Sequence, residues 1–139
     1  VMDFQPYVDP TAFTGIVPSL YYDSIDEEDF MDEVWHIVAQ LTTYSTDIRE
    51  TPKYPLETLL SGGGDCEDTA ILVASMLKAA PERWKVSLVY MDANHPEDPE
   101  SLNHLIVAVE TSRKTYFIET TGKRVMNPYT RVEGIFVEV

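Results

Sequence analysis

Residues 61–80, SGGGDCEDTAILVASMLKAA, constrain the fold more than any other stretch of this chain. From Ala70 to Ala80 nearly every position is apolar, and a helix apolar on every face has to be buried on every face. The glycines at 62–64 disfavour a helix interior, whereas Asp65 is a good N-cap. The helix is therefore expected to start beside Asp65 and to break at Pro81. Everything else must pack around it, and the only cysteine, Cys66, falls in its first turn.

The flanking sequence supplies that packing. Ser24 and Asp26 are candidate caps for an earlier helix over about 26–43. Phe30, Val34, Ile37 and Leu41 give it an apolar stripe at helical spacing, widened by Trp35 and Val38. Residues 1–25, with Pro6, Pro10 and Pro18, read as an extended N-terminal arm lying over a domain that spans 26–139. STDIRETPKYP (45–55) reads as an irregular polar connection broken by two prolines.

After Pro81 the pattern turns to β. VSLVYM (86–91), HLIVAV (104–109) and TYFIET (115–120) are expected strands, and VEGIFVEV adds another at the C-terminal end. A short polar turn joins 104–109 to 115–120 as an antiparallel hairpin. Its strands are apolar on both faces, so the sheet should be covered on both sides. Helices first and antiparallel sheet after define an α+β fold, with the buried Cys66 helix packed on the sheet.

Composition narrows the function. The 139 residues suit a single domain with a real core. With 24 acidic against 10 basic residues, the net charge is −14. That balance excludes nucleic acid, whose phosphates require Lys and Arg, and disfavours an anionic membrane surface. Cationic peptides should associate faster than anionic ones at low salt. One cysteine cannot form an intrachain disulfide or a multi-thiolate zinc site. The sequence starts at Val1 and stops within an apolar run, so it reads as a domain of a longer protein.

Nucleophilic cysteine chemistry needs a thiolate, a base, and an acceptor that orients the base. A helix N-terminus favours thiolate through its partial positive charge, but carboxylates at Asp65, Glu67 and Asp68 oppose ionisation. The thiol then requires a cationic imidazole in contact, and His104, which opens a strand, can supply it. Glu119 follows 15 residues later. If Thr111–Lys114 form a four-residue turn, Glu110 opposes Thr115, His104 opposes Thr121, and Glu119 lies one diagonal step from His104 on the same face. That step is about 7–8 Å between backbones. His95 in its proline-bearing loop and His36 on a polar helix face read as solvated residues, and DEEDFMDE as a solvated helix start.

The segments GGGDCEDTAILVASMLKA, NHLIVAV and YFIETT, in that order, resemble the transglutaminase-like superfamily, which shares the papain-like cysteine proteinase fold. PLETLLSGG resembles that family's approach to its cysteine. The resemblance covers roughly residues 30–121 and implies Cys66 as nucleophile, His104 as general acid/base and Glu119 as orienting acid. Glu119 stands where the family carries Asp followed by Pro, and Leu-Ile follows His104 in place of an aromatic pair.

The implied activity is acyl transfer on an amide in a peptide or protein substrate, with hydrolysis by a cysteine peptidase or amidase favoured. The alternatives are a cross-linking transglutaminase and a catalytically silent binding domain. The Cys66 N–H would contribute to the oxyanion hole, with Gln40, Tyr44 and Tyr54 as candidate second donors. The scheme needs no cofactor, although some bacterial relatives suggest calcium near Asp65, Glu67 and Asp68.

Overall fold

The computed structural model describes residues 3–46 and 51–139. Two 3-10 turns, Gln5–Tyr7 and Pro10–Phe13, precede helices α1 (Val17–Asp23) and α2 (Glu27–Leu41). A two-residue strand β1 (Thr43–Tyr44), helix α3 (Pro55–Ser61) and strand β2 (Gly63–Gly64) lead into α4 (Cys66–Lys78). Strands β3 (Lys85–Met91), β4 (His104–Glu110), β5 (Thr115–Ile118) and β6 (Gly134–Glu138) follow. They form one antiparallel sheet in the order β5-β4-β3-β6. The architecture is the expected α+β one.

The core sits between α4 and the sheet. Every residue of α4 from Asp68 to Leu77 is buried, as a helix without a polar face demands. Val86, Leu88 and Tyr90 of β3 and Leu105, Val107 and Val109 of β4 point from the sheet into this layer. The alternate residues Val89, Met91, Ile106 and Ala108 pack on the opposite face, where Val132, Phe117 and Tyr129 join them. Pleating sends successive side chains to opposite faces, so a strand apolar throughout needs a cover on each. The connection between β5 and β6 contributes Tyr129 and Val132 to the second cover.

Prolines hide two helices from the sequence pattern. The arm expected to be extended over 1–25 carries α1, with Pro18 in its first turn, where a missing N–H costs nothing. Tyr21 of α1 packs edge-on against Phe30 and Trp84. The arm also joins the core: Phe4, Phe13 and Val17 are buried, and the Asp9 N–H donates to Ser75 Oγ of α4 at 2.9 Å. In the stretch expected to be irregular, Pro55 begins α3 as an N-terminal proline instead of forbidding structure. Asp47, Ile48, Arg49 and Glu50 of that stretch lie outside the described residues.

The 26–43 helix begins one residue after its cap, where Asp26 accepts from the Asp29 N–H at 2.8 Å, and it ends at Leu41. Thr43 and Tyr44 leave it to pair in parallel with Gly63 and Gly64. The strand expected over 115–120 ends at Ile118, where the β4–β5 ladder stops at the pair Val107↔Ile118. The expected pairing of His104 with Thr121 is therefore not made, because the Glu119 N–H turns away to Met126 O at 2.8 Å.

Candidate active site

Asp65 has extended backbone and caps α4, its carboxylate accepting from the Glu67 and Asp68 N–H groups at 3.1 and 3.3 Å. Asp68 completes a capping box by accepting from the Asp65 N–H at 3.2 Å. Cys66 is thereby fixed as the first helical residue, half-buried and facing a cleft. The glycines before it are required by space. Gly63 has φ +132° and lies so close to Thr43 that a Cβ would strike the Thr43 backbone, and a Cβ on Gly64 would strike the Asp68 side chain.

The carboxylates crowding the thiol in sequence do not crowd it equally in space. Asp68 is fully buried and points away along α4's first turn, accepting from the Lys53 N–H at 3.0 Å with the Lys53 ammonium 3.9 Å away. Burial, reinforced by the nearby Asp65 charge, lifts its carboxyl to about 6. Of the three, Glu67 alone shares the cleft wall with Cys66.

His104 opens β4, and Glu119 follows the end of β5. The hairpin turn has the four-residue length expected, with Glu110 opposite Thr115. His104 Nε2 lies 2.8 Å from both Glu119 oxygens. This leaves Nδ1 as the ring nitrogen open to Cys66. Burial draws the imidazole's pKa down, but hydrogen bonds with Cys66 and Glu119 outweigh it and raise it to about 9. Burial pushes the Glu119 carboxyl up, yet its bonds to His104, Thr121 and Tyr129 leave it below the ordinary range. The structure thus brings Cys66, His104 and Glu119 together.

Three partners of Glu119 escape a reading by sequence. Thr121 Oγ1 donates to its Oε1 at 2.5 Å and Tyr129 Oη to its Oε2 at 3.1 Å. The Trp35 indole N–H donates to its main-chain oxygen at 2.8 Å. The one signal available was Trp35 itself: a tryptophan in a buried helical stripe needs an acceptor for its N–H.

Of the candidate oxyanion donors, Tyr44 lines a cavity with His104, Glu119 and Thr121. Tyr54 instead packs on Tyr7, with ring centres 5.0 Å apart, and Gln40 is exposed on α2. His36 and His95 are half-exposed beside Asp32 and Asp92 respectively, away from this site.

No protein-family model matches the chain, and no curated protein matches it in sequence. Solved structures do match. EGTA-treated LapG of Legionella pneumophila superposes with TM-score 0.59 at 19% identity, covering 93% of this chain and 69% of that one. Calcium-bound LapG gives 0.60 at 18% identity, covering 89% and 70%. A candidate cysteine protease from Cytophaga hutchinsonii gives 0.63 at 13% identity, covering 95% of this chain but only 42% of its own. The fold is thus the transglutaminase-like one, shared with these proteins. Each of these proteins is longer than the present chain.

The calcium in one LapG structure belongs to that protein. Here the Asp65 and Asp68 carboxylates are spent on main-chain N–H groups and Lys53. Among the described residues no group of three or more His, Cys, Asp or Glu side chains is arranged to hold a metal ion. Calcium takes six to eight oxygens, and the first turn of α4 holds no such set ready. No helix of the described residues is long and apolar enough to cross a membrane.

Proposed function

We propose that this domain is a thiol-dependent peptidase or amidase in which Cys66 is the nucleophile, His104 the general acid/base and Glu119 the orienting acid. The observation that carries the reading is His104, which bonds Glu119 through Nε2 at 2.8 Å and turns its other side to Cys66. In the first step His104 Nδ1 holds the thiol proton while Cys66 Sγ attacks the carbonyl carbon. The carbonyl π electrons move to oxygen, forming a tetrahedral oxyanion beside the Cys66 N–H at the start of α4. A first-turn N–H has no intrahelical acceptor, so it is free to donate there.

Collapse of this intermediate breaks the C–N bond, and His104 delivers its proton to the departing amine. Water then attacks the thioester, giving its proton to His104, and the acid leaves as the thiol re-forms. Glu119 stays ionised throughout, fixing the tautomer and stabilising the imidazolium. Hydrolysis is favoured over amine transfer by analogy, since a candidate cysteine protease shares the fold. No step uses a metal, and the substrate is a peptide or protein.

Alkylation by iodoacetamide tests the pairing, since only thiolate reacts. The expected result is substantial modification of Cys66 at mildly acidic pH, falling at least tenfold in His104→Ala. Glu119→Gln should cause a smaller loss, because it misorients the ring without removing it. Alkylation that begins only above about pH 8.5, indifferent to both substitutions, would leave Cys66 a structural residue.

A further inference from the structure

Residues 92–103 join β3 to β4 without helix or strand. They end at the residue before His104, and Leu102 and Asn103 form part of the wall of a cavity of about 310 Å³ beside Cys66. Ordering a connection of this length costs conformational entropy, and Pro96 and Pro99 remove two of its main-chain donors. Something must fix the loop if the base at its end is to keep one position.

That element is Asp92, which is almost wholly buried at 2% exposure. Its Oδ1 accepts from the Asn94 and His95 N–H groups at 3.0 and 3.3 Å, and from Asn103 Nδ2 at 3.3 Å. Its Oδ2 accepts from the Glu100 and Ser101 N–H groups at 3.0 and 3.2 Å. The first two donors are local, as for any aspartate that opens a turn. The other three come from the far end of the loop, so one carboxylate closes it. The Glu100 N–H and its companions hold the Asp92 carboxyl well below the ordinary range, against the burial that would raise it. Losing these bonds would leave a charge out of water without partners, so the closed loop is the favoured one.

Two routes lead from Asp92 to the His104–Glu119 pair. Asn103 answers Asp92 directly through Nδ2, while its Oδ1 accepts from the Ala93 N–H at 3.1 Å and its N–H donates to Met91 O at 3.0 Å. His104 is the next residue. On the other side, the turn at Asn94 and His95 presents Pro96 O, which accepts from the Glu133 N–H at 2.8 Å. Glu133 closes the connection that carries Tyr129, whose hydroxyl donates to Glu119 Oε2 at 3.1 Å. The loop thus braces the imidazole through its own backbone and the carboxylate through the neighbouring connection.

We propose that Asp92 is a positioning residue for His104: by closing the β3–β4 loop it holds the imidazole between Cys66 and Glu119. Asp92 lines no part of the cavity beside Cys66 and acts only through the residues it holds. The proposal rests on the pairing of Cys66 with His104, and it adds a residue that sets the geometry of the base. A shift of about 1 Å at a catalytic group lowers rates steeply, so opening the loop should be felt at the thiol.

Asp92→Asn tests this, because it keeps the shape and replaces one acceptor oxygen with an NH2 group. Whichever way the amide turns, two loop N–H groups lose their acceptor. The pH midpoint of the His104 ring signals, read by NMR, should fall by about one unit as the ring loses its partners. Alkylation of Cys66 by iodoacetamide at mildly acidic pH should slow about tenfold beyond what the folded fraction accounts for. Asp98→Asn removes the same charge from an exposed position of the same loop and should move neither. Asn103→Ala cuts the link next to His104 without changing any charge. It should shift both readouts in the same direction by less, and it carries the test should Asp92→Asn not fold.

An Asp92→Asn protein that loses stability but keeps the native midpoint and alkylation profile would make Asp92 a residue of the fold alone and overturn the proposal. An equal shift in Asp98→Asn would do the same, since the effect would then be one of charge. The native protein keeps the two readings apart. If its acidic-pH alkylation depends on His104 while Asp92→Asn is indifferent, the positioning role falls and the nucleophile stands. If that alkylation is missing from the native protein, the nucleophile falls and this proposal with it.

Discussion

The Trp35 indole N–H donates to the main-chain oxygen of Glu119 at 2.8 Å, joining α2 to the residue just past β5. The bond holds the backbone of Glu119 where the chain leaves the sheet, while Thr121 and Tyr129 hold its carboxylate. The orientation of the His104 ring is thus tied to a helix that contributes no group to the cleft.

Trp35→Phe keeps most of the apolar volume and removes the donor, leaving the Glu119 carbonyl without that partner. The expected cost is about 1–3 kcal/mol in urea denaturation. Alkylation of Cys66 at mildly acidic pH should slow at the same time. A stability loss with an unchanged alkylation profile would show that Trp35 serves packing alone.

His104 should stay protonated far above the ordinary imidazole range. Its pKa is raised to about 9, against about 6.5 in an unfolded chain. Stability contributed by this group alone is fully present below about pH 6.5 and lost as pH rises through about 9. In the proposed pair, however, the proton the ring holds is the one the thiol gave up. The net proton count then changes little on unfolding, and the ring's own NMR signals are the better probe. Their midpoint is expected near pH 9, and lower in Glu119→Gln. A midpoint at about 6.5 in the native protein would dissolve the pair.

Much of this was legible in the sequence, for reasons that differ by element. The α4 helix announced itself because a run from Ala70 that is apolar or small at nearly every position admits only a buried helix. The hairpin register followed from the turn length as far as Ile118; beyond it the chain leaves the ladder, so the register permitted the approach of Glu119 to His104 without dictating it. The misreadings at α1 and α3 share one cause: proline breaks a helix interior but is welcome in a first turn, and composition alone does not say which applies. The two-residue pairing of β1 with β2 joins segments 20 residues apart and carries no local pattern. Thr121 and Tyr129 looked like ordinary polar and aromatic residues, since their value depends on where Glu119 ends up.

The centre of α4 should dominate stability. Leu72 is fully buried and packs in the layer between α4 and the sheet. Leu72→Ala removes most of that side chain and leaves a space the surrounding helices and strands can only partly close. A loss of about 2–5 kcal/mol in chemical denaturation is expected. A loss below about 1 kcal/mol would mean that this site is looser than its burial indicates.

The approach to the nucleophile is where fold and chemistry meet at a glycine. Gly63 sits at φ +132°, a conformation L side chains rarely adopt, and its missing Cβ leaves room for the Thr43 backbone. That close approach is what lets Thr43 and Tyr44 pair with Gly63 and Gly64, with the Thr43 N–H donating to Gly62 O at 2.8 Å and the Ser45 N–H to Gly64 O at 2.9 Å. It therefore positions Tyr44 beside the His104 side of the cleft and holds the entry to Asp65 and Cys66. Gly63→Ala adds a methyl group against backbone, which cannot swing aside, and imposes strain on the residue itself. A destabilisation of about 1–3 kcal/mol is expected. Iodoacetamide labelling of Cys66 should fall by more than the folded fraction alone accounts for, because the pairing that frames the cleft is lost. Gly15, where an added Cβ would meet nothing within 4 Å and no such φ applies, is the matched control. Gly15→Ala should change stability by less than about 0.5 kcal/mol and leave labelling as it was. Equal behaviour of the two variants would mean that the β1–β2 contact does not govern the site.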